Sequence, residues 1–162
     1  DRILLAAGVA SALYLARNLY TMFLVLPDEA AQGAIYRIMF FHIPSWFTCF
    51  ACFFLSGMAS AWAIWKKNDR GDSFAVATTE VGLAFTLIGL ATGMIWAKII
   101  WGIWRTWDAR LTWAFITALI YGGYLMMRNM IDDPGERRRV TGVLSIFAFT
   151  SVVITYKAID WW

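Results

Sequence analysis

The sequence predicts an all-α protein, a polytopic membrane helix bundle. Of its 162 residues only 15% are charged and 60% are hydrophobic, whereas soluble domains carry about 25% charged residues. Apolar runs long enough to cross a bilayer recur along the chain, and short basic segments separate them. We therefore predict a single integral-membrane domain over residues 1–162, whose net charge of +3 needs no nucleic-acid partner.

Five apolar segments are predicted to span the membrane, at about residues 3–26, 44–65, 74–99, 111–127 and 140–156. Pro44 marks the start of the second span, because proline is accepted at the first helical position but disturbs a helix interior. A helix that begins near Ala34 and kinks at Pro44 is the alternative. Residues 66–72 and 128–139 are predicted to be polar loops.

The basic residues of the two polar loops predict the orientation. They are Lys66, Lys67 and Arg70 in one loop, and Arg128, Arg137, Arg138 and Arg139 in the other. Because cytoplasmic loops of membrane proteins collect positive charge, both loops and the N-terminus are predicted to be cytoplasmic. The loop after the first span, the tryptophan-rich segment 101–112 and Trp161-Trp162 are then predicted to lie at the outer face.

The tryptophan-rich segment 101–112 reads Trp-Gly-Ile-Trp-Arg-Thr-Trp-Asp-Ala-Arg-Leu-Thr. Tryptophan favours the membrane–water interface, where its ring is dry and its N–H is wet. At 100° per residue, a helix would align five side chains over about 160°, namely Trp107, Trp104, Asp108, Trp101 and Arg105. That arrangement predicts an aromatic shelf for a flat ligand. The alternative is an aromatic belt in which Asp108 caps a helix or pairs with an arginine.

His42 is the only histidine of the sequence, and it lies near the start of the second span on the predicted outer face. It is either a hydrogen-bonded structural residue or a metal ligand. A flat apolar ligand whose metal accepts imidazole is haem, and its propionates favour arginine. The cations on the predicted outer side are Arg37, Lys98, Arg105 and Arg110. The sequence contains no Ser/His/acid set and no glycine-rich phosphate loop that would indicate an enzyme.

Four further residues lie inside predicted spans. Arg17 is expected to face a protein neighbour or to reach the interface along its helix, with a ligand or proton path as the alternative. Glu80 is expected to be a near-interface acid satisfied by its neighbours. Cys49 and Cys52 have C-x-x-C spacing without a following histidine, so we expect unreactive buried thiols rather than covalent haem attachment.

Two motifs together resemble a known family. Trp101, Gly102 and Trp104, followed by residues 107–112, are similar to the tryptophan-rich WWD signature of the haem-handling proteins of cytochrome c biogenesis. Pro27-Asp28, Gln32-Gly33 and residues 36–44, Tyr-Arg-Ile-Met-Phe-Phe-His-Ile-Pro, resemble the CcmC family, within the superfamily that also contains CcmF and CcsA. Residues 113–117 are more similar to the CcsA branch. The resemblance covers essentially the whole chain.

The resemblance implies a six-span, non-enzymatic protein that binds haem b non-covalently and transiently at the outer face of the bacterial cytoplasmic membrane. His42 would be an axial ligand of the haem iron. The other residues that would hold the haem are Trp101, Gly102, Trp104, Trp107, Asp108 and Arg110, with Arg105 and Arg37 as cations for the propionates. The haem would pass to a CcmE-like periplasmic chaperone, beside CcmA and CcmB ABC-type subunits and a CcmD-like small membrane protein.

Two features depart from the family pattern. The family usually has tryptophan where this chain has Arg105, so the shelf loses a ring and gains a cation. The family's second axial histidine and sixth span follow a Trp-Trp pair like Trp161-Trp162, where the sequence ends, so we expect a longer protein.

Two other functions remain as alternatives at this point. One is a haem- or quinone-based electron-transfer membrane subunit. Paired histidines within the spans are normally needed for that role, and this sequence has a single histidine that is not mid-membrane. The other is a structural transporter subunit, in which the tryptophans only anchor the chain to lipid.

Overall fold

The computed structural model describes residues 2–104 and 107–161, apart from the side chain of Ile159. This part of the chain contains five α-helices and no β-strand, so the all-α prediction is confirmed. The helices are α1 (Arg2–Tyr20), α2 (Met39–Lys66), α3 (Asp69–Trp101), α4 (Ala109–Met130) and α5 (Pro134–Trp161). A π-helical turn, Thr21–Val25, follows α1, and a 3-10 helix, Ala34–Ile38, precedes α2.

The helices are long enough for a polytopic membrane protein, as predicted. Within the described residues, four helical stretches have the length and apolar composition needed to cross a membrane. They are Arg2–Val25, Ala34–Lys66, Asp69–Trp101 and Pro134–Ala158. The helix α4, with 22 residues, is about 33 Å long at 1.5 Å per residue, which also matches the hydrocarbon thickness of a bilayer.

The chain divides into two compact units, Asp1–Met39 and Phe40–Trp162. In the first unit, Arg37 closes the loop that follows α1. Its Nε donates to the Met22 carbonyl at 2.8 Å, its Nη2 to the Leu26 carbonyl at 2.7 Å, and its Nη1 to Asp28 at 2.6 Å. A side chain predicted to serve a ligand is therefore strongly engaged in holding its own loop.

The second unit is an antiparallel bundle of the described helices α2–α5. Trp62 lies against Gly71 and His42 against Gly93, so α2 and α3 run in opposite directions. The helices α4 and α5 are also antiparallel, because Arg128 bonds to Thr141 and Thr117 to Thr155. We call one end of the bundle the site end; it holds the starts of α2 and α4 and the C-terminal ends of α3 and α5.

The opposite end of the bundle, here the basic end, gathers the basic residues used to predict the orientation. Asp72 and Arg128 form a bidentate ion pair there, with N–O distances of 2.9 and 2.6 Å, and Arg128 also donates to the Thr141 hydroxyl at 2.9 Å. Both charged side chains are largely buried. This ion pair joins α3 to α4 at the basic end.

One face of α3 consists of small residues, on which aromatic and imidazole rings of α2 pack. The buried residues of this face recur every three or four positions: Gly71, Ala75, Thr79, Gly82, Thr86, Gly89, Gly93 and Ala97. A Cβ atom on any of the four glycines would lie 2.8–2.9 Å from a ring of α2. Small residues are the usual helix contacts in membranes, where burying apolar surface away from lipid gives little driving force.

The predicted start of the second span at Pro44 is wrong, because Pro44 lies inside α2. The alternative start near Ala34 is closer, since the 3-10 helix leads directly into α2 at Met39. Pro44 removes only the hydrogen bond that its own N–H would give to the Phe40 carbonyl. Next to it, the Ser45 hydroxyl donates to the Phe41 carbonyl at 2.6 Å. The helix therefore tolerates proline in its second turn.

Both predicted polar loops are shorter than expected. The loop after α2 consists of Lys67 and Asn68, and Asn68 caps α3 by accepting from the Arg70 N–H at 3.0 Å. The loop after α4 covers residues 131–133, with Pro134 as the first residue of α5, a position that proline favours. Charged residues such as Asp69 and Arg137 therefore belong to helices, which extend beyond the apolar runs.

The other polar residues predicted inside spans lie as follows. Arg17 on α1 and Glu80 on α3 are exposed, and the expectation that neighbours satisfy Glu80 stays a prediction. Cys49 and Cys52 are free thiols, and only Cys49 is fully buried. Its Sγ donates to the Trp46 carbonyl at 3.2 Å. The two cysteines form no disulfide in this structure.

Candidate functional site

The tryptophan-rich segment 101–112 is not one helix, so the predicted aromatic shelf on a continuous helix is wrong. The helix α3 ends at Trp101, and Gly102 follows with φ 76° and donates its N–H to the Lys98 carbonyl at 3.1 Å. This left-handed cap strongly favours glycine. The helix α4 begins at Ala109, and Asp108 caps it by accepting from the Leu111 N–H at 3.0 Å. The alternative in which Asp108 caps a helix is confirmed.

The tryptophans of this segment are exposed at the site end of the bundle. Trp101, Trp104 and Trp107 are 54%, 60% and 75% exposed. Trp101 packs edge-on against Trp96, with ring centroids 5.1 Å apart. The Lys98 ammonium lies 5.8 Å from the centroid of the Trp104 ring and donates to the Gly102 carbonyl at 2.9 Å. Arg105 lies outside the described residues, as do Thr106 and Trp162.

The ring of His42 is hydrogen-bonded at both nitrogens. Its Nδ1 lies 3.0 Å from the Thr92 hydroxyl oxygen, and its Nε2 accepts from the Trp46 indole N–H at 3.1 Å. The Thr92 hydroxyl donates its single hydrogen to α3 carbonyls, at 2.7 Å for Ile88 and 3.1 Å for Gly89. Thr92 therefore accepts from His42, and the imidazole is neutral with its hydrogen on Nδ1.

Two glycines of α3 position the His42 and Trp46 rings. A Cβ atom on Gly93 would lie 2.9 Å from His42 Cε1, and one on Gly89 would lie 2.9 Å from Trp46 Cε2. Both rings therefore rest directly on the α3 backbone. Sequence reasoning missed Trp46, Gly89, Thr92 and Gly93 as parts of the site. Their signals were the four-residue spacings from residue 42 to 46 on α2 and from residue 89 to 93 on α3.

His42 lies deeper in the bundle than Trp101. From Gly93 to Trp101, α3 continues for eight residues, or about 12 Å. The start of α4 is at the depth of His42, since Leu111 and Met94 line one apolar cavity of about 310 Å³. Arg110 is exposed near the start of α4, at about this depth.

The apolar cavity is separate from His42. Its lining residues on α3 are Leu87, Leu90, Ala91 and Met94, and on α4 they are Leu111 and Phe115. At 100° per residue, those α3 positions lie on the far side of the helix from the face that holds the His42 ring. The cavity therefore opens beside α4, and His42 contacts α3 from the other side.

The site end thus gathers most of the predicted site residues. His42, Trp101, Gly102, Trp104, Trp107, Asp108 and Arg110 all belong to the second unit and lie near that end. Arg37 belongs to the first unit, and the contacts described above lie within it. Among the described residues, no group of three or more His, Cys, Asp or Glu side chains could hold a metal ion. His42 is the only histidine of the sequence and lies at this end.

Fold and site together define a class: a polytopic helical membrane protein with its one histidine and an exposed tryptophan-rich segment at the same end of the bundle. Over residues 1–162 the sequence matches the family described as "Heme exporter protein C" (CcmC). The chain therefore belongs to the CcmC family, and the predicted resemblance is confirmed.

Curated relatives agree with this family. The chain is 34% identical over 162 residues to the Heme exporter protein C of Bradyrhizobium diazoefficiens, covering 99% of this chain and 61% of that protein. It is 30% identical over 161 residues to the protein of the same name from Rhodobacter capsulatus, covering 99% and 66%. With that of Escherichia coli K12 it is 28% identical over 136 residues, covering 84% and 56%. The chain thus spans less than two thirds of the length of these relatives.

Proposed function

We propose that the protein binds haem at the outer face of the bacterial cytoplasmic membrane and delivers it to a CcmE-like periplasmic haem chaperone for cytochrome c maturation. The observation that carries this proposal is the neutral imidazole of His42, whose Nδ1–H is held by Thr92. Family membership supports haem as the cargo, because the relatives are named heme exporter proteins. The role is binding and transfer rather than enzymatic catalysis.

The hydrogen bond between His42 and Thr92 suits an iron ligand. Histidines that bind metals almost always donate their other ring N–H to an oxygen acceptor, which orients the ring and fixes the tautomer. In His42, Nδ1 has this partner, so the lone pair that would bind the haem iron is on Nε2. Bound haem b would be held without a covalent bond and released to the chaperone.

The exposed tryptophans suit the faces and edges of a porphyrin. Trp101, Trp104 and Trp107 offer flat apolar rings at the site end, and aromatic pairs gain energy beyond the area they bury. Arg110 near His42 is our choice for a propionate partner, since arginine binds carboxylates with two parallel hydrogen bonds. Arg105 and Arg37 stay as further candidates, and Asp108 and Gly102 shape the segment by ending its two helices.

The proposed orientation puts the site end outside and the basic end in the cytoplasm. The separation of the basic residues from the tryptophans, at opposite ends of one bundle, supports it because cytoplasmic segments are enriched in Lys and Arg. The family resemblance further suggests CcmA and CcmB ABC-type subunits and a CcmD-like small membrane protein as partners. Lipid would surround the exposed apolar side chains.

Haem titration of the purified full-length protein, followed by its Soret absorbance, tests the proposal. Wild type should bind, His42→Ala should bind much more weakly, and Trp104→Ala should lose about 2- to 10-fold in affinity, as for one aromatic contact. Trp65→Ala is the matched control, because Trp65 is 78% exposed at the basic end. This variant should bind haem with the affinity of the wild type.

Two results would contradict the proposal in different ways. A wild type that shows no Soret band after haem is added would exclude haem binding, and with it the electron-transfer alternative that uses haem. A band unchanged in the double variant His42→Ala/Trp104→Ala would leave haem binding intact but refute this site. A transfer assay with purified CcmE then tests delivery, which requires the chaperone to take haem from the wild type.

A further inference from the structure

The nitrogen of His42 that would bind iron is already occupied by this chain. The Trp46 indole N–H donates to His42 Nε2 at 3.1 Å, from one turn further along α2. The two rings are nearly perpendicular, with their centroids 6.0 Å apart. Since Nδ1 carries the hydrogen, Nε2 holds the only ring lone pair. An electrophile or a metal ion at this imidazole must therefore displace the indole N–H.

We propose that Trp46 is a latch on His42: it holds Nε2 in the haem-free protein and releases it when haem binds. The inference rests on the proposed function, in which His42 is an axial ligand. Haem binding then exchanges one bond at Nε2 for another, so Trp46 lowers the affinity for haem. A carrier that must give up its haem benefits from an internal group that can reoccupy the same nitrogen.

The packing around Trp46 explains how the latch is held in place. Its indole rests on the α3 backbone at Gly89, which leaves no room for a Cβ atom. Phe50, one turn further along α2, packs against the indole with ring centroids 5.8 Å apart. These contacts aim the N–H at His42, whereas Thr92 holds the opposite nitrogen. Trp46 is therefore a positioning residue for His42 as well as its competitor for Nε2.

Trp46→Phe tests the latch, because it removes the indole N–H while a smaller aromatic ring remains at this position. Trp62→Phe is the control: its indole also lies on a glycine of α3, Gly71, at the other end of α2, far from His42. Both variants lose the same part of an indole ring beside an α3 glycine, so an effect confined to Trp46→Phe reports the hydrogen bond to His42.

The first measurement needs no haem. Diethyl pyrocarbonate modifies the imidazole lone pair, and peptide mass spectrometry of the full-length protein gives the rate at His42. Loss of one hydrogen bond should raise this rate about fivefold in Trp46→Phe and leave it unchanged in Trp62→Phe. Equal rates in wild type and Trp46→Phe would overturn the proposal, since they mean that the indole does not protect Nε2.

The second measurement is haem affinity, from the Soret titration. Trp46→Phe should bind about fivefold more tightly than wild type, and Trp62→Phe should bind as wild type does. An affinity of Trp46→Phe equal to or weaker than wild type would refute the latch while leaving haem binding at His42 intact. Failure of wild type itself to bind haem would instead refute the proposed function, and the latch with it.

Discussion

Gly93→Ala is the sharpest test of how the His42 ring is held. The added Cβ atom would lie 2.9 Å from His42 Cε1, whereas ordinary contacts of this kind begin at 3.4 Å. The ring must therefore move by about 0.5 Å, and forcing a methyl group into a packed contact costs about 1–3 kcal/mol. The same substitution at Gly57 in α2 meets nothing within 4 Å and keeps only the gain of about 0.5–1 kcal/mol from replacing helical glycine.

Both variants replace a helical glycine by alanine, so the change in helix propensity is the same in each. The difference between their unfolding free energies therefore isolates the contact with His42. We expect Gly93→Ala to be less stable than Gly57→Ala by about 1–3 kcal/mol, or roughly 2–4 °C in Tm for each kcal/mol. Thermal unfolding of the full-length protein in detergent, followed by the circular dichroism of its helices, measures this difference. Equal midpoints for the two variants would show that the His42 ring does not rest on α3.

The same displacement should weaken haem binding. Thr92 and Gly93 are neighbours on α3, so a ring pushed away from Gly93 also moves away from the Thr92 hydroxyl. The Nδ1–Oγ1 distance of 3.0 Å would approach 3.5 Å, where hydrogen bonds become weak. Loss of that bond should lower the haem affinity about 2- to 10-fold, and an unchanged affinity would separate haem binding from this face of α3.

Two further predictions concern the bundle and the start of α4. Asp72→Leu should destabilise the protein by about 3–5 kcal/mol, because it leaves the buried Arg128 charge unpaired. Combining it with Arg128→Met should restore most of the lost stability. Thermal unfolding measures both variants, and a double variant no more stable than Asp72→Leu would contradict the argument from burial. Asp108→Ala should lower the unfolding free energy by about 0.5–2 kcal/mol through loss of the cap, and Asp108→Asn, which keeps a capping oxygen, should lose much less. Similar losses for Ala and Asn would point to a role of the Asp108 charge.

Hydropathy predicted most of the fold, because it depends on local composition. The apolar runs located all five helices, and only their ends were misplaced, since charged residues such as Asp69 and Arg137 continue a helix into the interface. The error at residues 101–112 has a local cause. An angular pattern of aromatic residues was given more weight than Gly102, whose left-handed conformation ends α3.

The immediate surroundings of His42 could not be predicted in the same way. His42 was identified because it is the only histidine, and its side of the membrane was inferred from the basic loops. Its partners Thr92 and Gly93 are fifty residues away on another helix, and no local pattern specifies which turn of α3 faces which turn of α2. That information depends on the packing of the whole α2–α3 pair.

The glycines of α3 also set the register of α2 along α3. Sliding α2 by one turn in one direction would bring Trp46 to Gly93, a position with equal room, but it would drive Phe53 from Gly82 onto Thr86. A slide in the other direction would bring His42 to Gly89 but set Trp46 at residue 85, a phenylalanine. Each of these two slides produces a collision, at Thr86 or at Phe85, so the position of the imidazole along α3 depends on contacts one to three turns away from it.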